Sequence, residues 1–484
     1  MTRHPFTRAD LLRYFLCGPL YIMLALLVVE AMFGATTTYL VIQASRDVAN
    51  NEFRVLDLVW IFVSQSSSYA VGAVSWLFAE RAGFRAYSRY ILRFARDNRD
   101  QTKLLHDRHA REQTEPFLTN ETFRTIFNLM YELEAQLKLA LALIFNAAVL
   151  GSEIDGSLPL AYLAVFLVLT IIQLSVQKRI AAIYLENQRQ NNRVTAHGYT
   201  AWDNILSGNK YNLRLWISGF KGKVRDCLRA QIRAIVAREG MSATGGIIGL
   251  VIVFLTMSFI ALREAGDVSV LIALAATLPK QIEMTNGVHQ LASDWNDVIA
   301  AWTRFGGIAA NAHPEPDPAF SSRIRFDRLV LRESDEIKQC HSVDEALDLI
   351  LSQPQGRINV RGGNGSGKST LLVALKSELK KRGYYWPTSD RLAFRFAAAA
   401  DDAAVDLDEQ PGSKTGKRKK KGFSSGERQL RSLQEIVAHT DAPVYLLDEW
   451  DANLDAANRA AADDLVATLA GRARVIEISH RDRA

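Results

Sequence analysis

Residues 362–370, GGNGSGKST, follow the short alternating run Arg357-Ile358-Asn359-Val360-Arg361 and lead into Leu371-Leu372-Val373-Ala374-Leu375. A strand, a glycine-rich turn and a helix start in that order form the setting in which backbone N–H groups and a helix N-terminus wrap a polyphosphate. Gly362, Gly365 and Gly367 allow the positive φ angles and close backbone approach such a loop needs, and Gly363, Asn364, Ser366 and Thr370 complete the cradle. Lys368 supplies a compact cation for the β and γ phosphates, and Ser369 offers a hydroxyl to Mg²⁺. The chain is expected to bind a nucleoside triphosphate.

The rest of the chain sets this loop in a wider plan. With 484 residues, 48% hydrophobic and 23% charged, the sequence has room for two or three ordered domains. Apolar runs crowd the first three hundred residues, and the remainder reads as a soluble α/β domain. Six runs are long enough to cross a bilayer as helices: 14–42, 55–78, 129–150, 158–176, 245–262 and one beginning at Val268. The net charge of +6 and pI near 9.1 would suit nucleic acid, but much of the Arg and Lys flanks apolar runs, so no nucleic-acid partner is expected. Three scattered cysteines, Cys17, Cys227 and Cys340, with no CxxC pair, indicate neither a disulfide framework nor a zinc site. The first apolar run is too long for a signal-peptide core.

The loops give an independent orientation. GSEIDGS (151–157) and REAGD (263–267) are short and not net positive, whereas 81–123 and 178–238 are long and rich in Arg and Lys. The positive-inside rule then puts the N-terminus, the two long segments and everything after the sixth run in the cytosol. The long segments are helix-favouring and read as continuations of the membrane helices. The sixth run, 268–305, has no clear stop and would reach about 55 Å as one helix. It contains Pro279-Lys280-Gln281-Ile282-Glu283, which reads either as an i, i+3 ion pair, or an early inner end of the span, or as polar lining of a cavity.

From about Phe320 the pattern changes. Residues 322–331 alternate as a strand would, SVDEALDLILSQ reads as a helix or turn, and the proline-bearing 312–322 forms the boundary between a domain at 1–312 and one at 323–484. Pro443-Val444-Tyr445-Leu446-Leu447-Asp448-Glu449 is an apolar strand ending in two carboxylates. A strand-end Asp448 would hold Mg²⁺ and Glu449 would act as general base on the attacking water.

Between and after these lie Phe423-Ser424-Ser425-Gly426-Glu427-Arg428-Gln429, then Asn453-Leu454-Asp455 and Ile476-Glu477-Ile478-Ser479-His480. With the glycine loop and the DE strand they stand in the order of phosphate loop, signature, acidic strand, D-loop and switch histidine, and the chain resembles an ABC transporter of the exporter type. The resemblance implies a membrane α-helical domain of six spans with long cytosolic extensions, followed by an α/β P-loop ATPase domain. It implies ATP and Mg²⁺, a homodimer in the inner (plasma) membrane, Ser424 and Gly426 acting on the partner's nucleotide, Asp455 beside them, and His480 aligning attack on the γ-phosphate. It also implies ATP-driven export. DEW, with Trp450 where most of the family has proline, and GGNGSGKST are similar to the branch that exports cyclic peptides, siderophores and microcin-like peptides, so a peptide-like or amphipathic cargo is expected.

Several positions depart from the family pattern. The signature has Phe423 for leucine, Ser425 for glycine and Glu427 for glutamine, and Thr388 stands where a glutamine follows the proline. No aromatic occupies the expected adenine-stacking position, the interval from Lys368 to Asp448 is short, and the sequence stops soon after His480 without the usual closing helices. These departures leave open an ATP-binding membrane sensor or immunity protein without productive transport, and an exporter of lipids or hydrophobic drugs. The basic run GSKTGKRKKKG (412–422) reads as a solvated loop or as a contact for anionic lipid or acidic peptide.

Overall fold

The computed structural model describes residues 7–479 apart from 53, 119, 335, 388–391, 397–423 and 453. The chain is mostly helical, with several long apolar helices and one mixed sheet near the C-terminus. It divides into two compact units: the described residues of Met1–Ile91 with Asn120–Ala310, and those of Leu92–Thr119 with Asn311–Ala484. His480 and the end of the chain, Phe423, Asn453, Thr388 and the basic run 412–422 lie outside the described residues.

The first unit is built from helices. In chain order these are α1 (Arg8–Phe15), α2 (Gly18–Ala49), α3 (Val55–Asn98, whose last turns belong to the second unit), α4 (Arg108–Leu118, in the second unit), α5 (Asn120–Glu153), α6 (Ser157–Gly198), α7 (Ala201–Leu206), α8 (Lys210–Arg263), α9 (Val268–Ala276), α10 (Leu278–Ser293) and α11 (Trp295–Asn311). Local chemistry sets several starts. Thr7 and Asp10 form a reciprocal capping box ahead of α1, Pro19 sits in the first turn of α2, and the Asp267 side chain accepts from the amides of Ser269 and Val270 to open α9.

Among the described residues, four helices are long and apolar enough to cross a membrane: Gly18–Ala49, Glu121–Glu153, Ser157–Val176 and Lys210–Arg263. Their outward faces carry bare apolar side chains such as Leu160, Ile171 and Phe254, surface that water would not tolerate over such lengths. The second and sixth apolar runs are not among them. In α3 the polar stretch Ser64-Gln65-Ser66-Ser67-Ser68 dilutes the run. The sixth run departs from the single long helix expected: it breaks at Thr277, just before Pro279 in the first turn of α10, and again at Asp294. The proline ring has no N–H for the preceding turn, so α9 ends there and a new helix starts. The two long basic segments continue the membrane helices only in part: in 81–123, α3 runs on to Asn98 and α5 begins at Asn120, and in 178–238, α6 runs to Gly198 and α8 begins at Lys210, with α6 and α8 packed along each other.

Several polar groups inside this unit are paired, most of them across helices. Lys138 Nζ on α5 lies 2.6 Å from the buried carboxylate of Glu30 on α2, which is also where a Cβ on Gly72 of α3 would collide, 2.5 Å from Glu30 Oε1. Thr38 donates to Asn146 Oδ1 at 2.5 Å, and Arg263 at the end of α8 pairs with Asp155 in the turn between α5 and α6. In α10, Lys280 and Glu283 form the i, i+3 ion pair at 3.0 Å, while fully buried Gln281 donates to Thr277.

The second unit holds a six-stranded sheet in the order β2-β1-β3-β6-β5-β4. The strands are β1 (Leu329–Glu333), β2 (Glu336–Lys338), β3 (Gly356–Gly362), β4 (Gly383–Trp386), β5 (Val444–Asp448) and β6 (Arg474–Ile478). β1 runs antiparallel to β2 and β3, and β3, β6, β5 and β4 are mutually parallel. The strand expected over 322–331 is shorter than its alternation suggests. Residues 320–323 and 326–328 form 3-10 turns, and pairing begins only at Leu329. The helices are α12 (Val343–Leu351), α13 (Lys368–Leu379), α14 (Ser425–His439) and α15 (Ala456–Ala470).

The strand period of two divides the core. Val444, Leu446, Ile476 and Ile478 pack with α12 and α13, and Tyr445, Leu447 and Val475 pack with α14 and α15. Every residue of β5 and β6 is buried, as two-sided cover of a parallel sheet requires. Segment Leu92–Thr119, although it lies between two long helices in sequence, belongs to this unit: its 3-10 turn Thr102–His106 packs against α13.

Candidate functional site

Because β6 lies between β3 and β5, the chain leaving β3 and the chain leaving β5 emerge on either side of the β6 end. Residues far apart in sequence therefore meet at the carboxyl edge of the parallel strands, where open α/β sheets bind their ligands.

After Gly362 the backbone turns with φ of 76° at Gly365 and 89° at Gly367, the left-handed region that glycine alone enters without strain. Space is limiting on one side only. A Cβ at Gly362 would stand 2.6 Å from the Arg328 carbonyl oxygen and one at Gly367 2.7 Å from that of Arg323, whereas a Cβ on Gly363 or Gly365 would meet nothing within 4 Å. The loop is thus packed against 323–329 and open on its other face, where Asn364 is exposed. Gly367 caps α13, and the first bond within the helix runs from Leu371 N to Gly367 O at 2.8 Å. The amides of Lys368, Ser369 and Thr370 therefore have no acceptor within the helix. Ser366 Oγ is buried and unpartnered. Lys368 Nζ folds back onto the carbonyl oxygens of Gly362 (2.8 Å) and Gly363 (3.4 Å). Open amides, an ammonium group and a helix N-terminus together fit a polyphosphate.

Asp448 ends β5 at 3% exposure. Its Oδ1 accepts from Ser369 Oγ at 3.0 Å and its Oδ2 from Tyr385 Oη at 3.1 Å. Burial raises the Asp448 pKa, and the bonds from Ser369 and Tyr385 oppose that rise. Burial also pushes the Tyr385 phenol far up, with the Asp448 charge adding to it, so Tyr385 keeps its proton. A hydroxyl and a carboxylate of this kind suit Mg²⁺, which takes one or two protein oxygens and completes its shell with phosphate and water. Among the described residues no cluster of three His, Cys, Asp or Glu side chains could hold a metal by itself.

Glu449, the next residue, has φ of 50°, a conformation that costs a non-glycine residue about 1–3 kcal/mol. Gln429 Nε2 holds the turn, donating to the carbonyl oxygens of Glu449 (3.3 Å) and Trp450 (2.7 Å). The Trp450 indole donates to Glu477 Oε2 at 2.8 Å, and Arg357 makes two bonds of 2.7 Å to the same carboxylate and one of 2.8 Å to Asp463. Asn359 reaches Ser479 Oγ at 2.7 Å, tying β3 to the end of β6.

The remaining expected site residues form caps. Ser424 is the N-cap of α14: its Oγ accepts from Glu427 N, and the Glu427 carboxylate accepts from Ser424 N at 2.9 Å. Glutamate at 427 thus closes a capping box, and Gly426 is buried in the first turn. Asp455 caps α15, accepting from Asn458 N at 2.8 Å. The structure brings together the glycine loop, Lys368, Ser369, Asp448 and Glu449, and the bonds of Ser424 and Asp455 are local.

Sequence reasoning did not single out Tyr385, Gln429 or Arg357, nor His106, which reaches Tyr385. Each acts through a partner far along the chain, and no spacing marks it. No protein-family model matches the chain, and no curated protein matches it.

Proposed function

We propose that the chain is an ATP-hydrolysing exporter of the ABC type, active as a homodimer in the inner membrane and moving a peptide-like or amphipathic compound. The observation that carries this reading is the strand–glycine loop–helix unit whose Ser369 is bonded to Asp448, with Glu449 next in sequence. Six spans belong to the proposal: the four helices of sufficient length and apolarity, together with α3 and the broken α9–α10 pair. The N-terminus and the sheet-bearing unit would then both be cytosolic, in keeping with the basic long segments.

In this reading the loop amides and Lys368 hold the β and γ phosphates and cancel their charge. Ser369 and Asp448 would hold Mg²⁺, which when bound neutralises phosphate charge. Glu449 takes the proton of the attacking water, and the left-handed turn fixed by Gln429 sets where its carboxylate sits. Ser424 and Gly426 of one subunit would close on the nucleotide of the other, with a helix N-terminus presented to the γ-phosphate. Catalysis is chiefly positioning and charge stabilisation. The breaks at Thr277 and Asp294 give the last membrane segment points at which closure of the ATPase units could change its path.

ATPase measurement on the full chain in nanodiscs, wild type against Glu449→Gln, tests the reading. Turnover in the wild type that falls at least about a hundredfold in the variant, with ATP binding retained, supports it. Equal rates would favour an ATP-binding sensor without productive turnover.

A further inference from the structure

Tyr385 on β4 stands between two groups. Its hydroxyl donates to Asp448 Oδ2 at 3.1 Å, and His106 Nε2 lies 3.0 Å from Tyr385 Oη. The phenol has a single proton and donates it in the hydrogen bond to Asp448, so His106 must carry its own proton on Nε2 and donate. The chain of bonds therefore runs from His106 to Tyr385 to Asp448, and Ser369 donates to the other carboxylate oxygen at 3.0 Å. Both Asp448 oxygens are thereby fixed in direction, one by the glycine-loop helix and one by β4.

His106 comes from the 3-10 turn Thr102–His106, which packs on α13, the helix that begins at Lys368. This turn follows α3 closely in sequence, and α3 is continuous from Val55 to Asn98. Asn98 Nδ2 donates to Ala312 O at 3.0 Å, so the segment is anchored at its start as well. An isolated histidine on a solvated loop would have no reason to be partly buried against a tyrosine. Burial lowers its pKa, which keeps the ring neutral and suits it to a fixed donor role.

We propose that Tyr385 and His106 are positioning residues for the Asp448 carboxylate, setting it to receive the Mg²⁺ of bound ATP and registering that event in the 102–106 turn. The proposal rests on the ATP reading above. Partners that orient a metal-binding carboxylate typically change metal affinity 10–100-fold when removed, whereas residues that only support the fold change stability alone.

The test uses the full chain in nanodiscs with a fluorescent ATP analogue, titrated with Mg²⁺ or kept in EDTA. Tyr385→Phe is expected to leave analogue affinity in EDTA within about twofold of wild type and to raise the Mg²⁺ needed for half-maximal effect about tenfold or more. His106→Ala is expected to give a smaller shift in the same direction, with His106→Gln, which retains a donor, partly restoring it. Hydrogen exchange should slow in 102–106 when Mg²⁺ and the analogue are added to wild type, and not in Tyr385→Phe. Variants with an unchanged Mg²⁺ requirement, or affinity lost equally in EDTA and Mg²⁺, would overturn the positioning role. So would exchange in 102–106 that ignores Mg²⁺ in the wild type. Wild type that binds no analogue under either condition would remove the ATP reading itself, and this proposal with it.

Discussion

Ser369 Oγ and Asp448 Oδ1 are 3.0 Å apart although 79 positions separate them in the chain. The bond joins the first turn of α13 to the end of β5, across the β6 end that lies between β3 and β5. A loop rich in glycine gains a defined direction from it. The helix that follows the loop is held against the sheet at the point where phosphate charge and a metal would be balanced.

Lys368→Ala removes the ammonium group that now rests on the Gly362 and Gly363 carbonyls. Nucleotide affinity should fall at least about tenfold, since charged hydrogen bonds are each worth about 1.5–3 kcal/mol. Thermal unfolding should barely change. Equilibrium binding of a fluorescent ATP analogue to the full chain checks the first, and a melting curve the second.

The two kinds of glycine in the loop should respond differently to alanine. Gly367→Ala meets φ of 89° and a Cβ only 2.7 Å from the Arg323 carbonyl, so it should cost about 1–3 kcal/mol and weaken nucleotide binding. Gly363→Ala finds open space and should leave the fold within about 0.5 kcal/mol of wild type. Parallel denaturation of both variants decides this; equal losses would show that the tight side of the loop had been misidentified.

Trp450→Phe deletes the donor that binds Glu477 in a buried network with Arg357. Leaving that acceptor under-satisfied should destabilise the protein by about 1–3 kcal/mol. Trp450→Pro should do at least as much harm although it restores the commoner residue of the resembled family, because the indole here is a structural donor as well as a ring under Arg357. Thermal melts of both variants measure the effect.

The first unit offers a charge test. Half-exposed Lys138 lies beside the buried Glu30 carboxylate, and Lys138→Met should destabilise the chain by about 1–3 kcal/mol, the cost of leaving one buried acceptor without its partner while solvent screens the ammonium side. Adding Glu30→Gln should recover most of that loss, since the stranded charge is gone. Detergent-solubilised melting temperatures for the single and double variants check the cycle.

Acid sensitivity has an identifiable contributor. Arg474, buried in β6, bonds to Glu333 and holds the Glu333 pKa below its ordinary value. A carboxyl with a lowered folded pKa contributes stability above its unfolded value, about 4.3, and loses it as pH falls through the folded value. Glu333→Gln should therefore be less stable than wild type at pH 7, with the gap closing below about pH 4. A gap that persisted unchanged into acid would contradict the assignment of this pair.

What the amino-acid order fixed by itself was local. Glycine at 365 and 367 dictated a left-handed turn, the apolar run of 444–447 dictated a buried strand, and the lengths of α2, α6 and α8 followed from uninterrupted apolar or helix-favouring stretches, because backbone sterics and burial act over a few residues. The same local reading overextended twice. It carried a strand back to residue 322, where 3-10 turns form, and it ran one helix through Thr277, where a proline ring ends it. Only the tertiary structure decided which distant groups meet: that β6 comes between β3 and β5, that His106 meets Tyr385 and Tyr385 meets Asp448, and that Trp450 answers Glu477. Those pairings depend on strand order and on which segment of the chain packs against α13, and neither leaves a periodicity for the sequence to display.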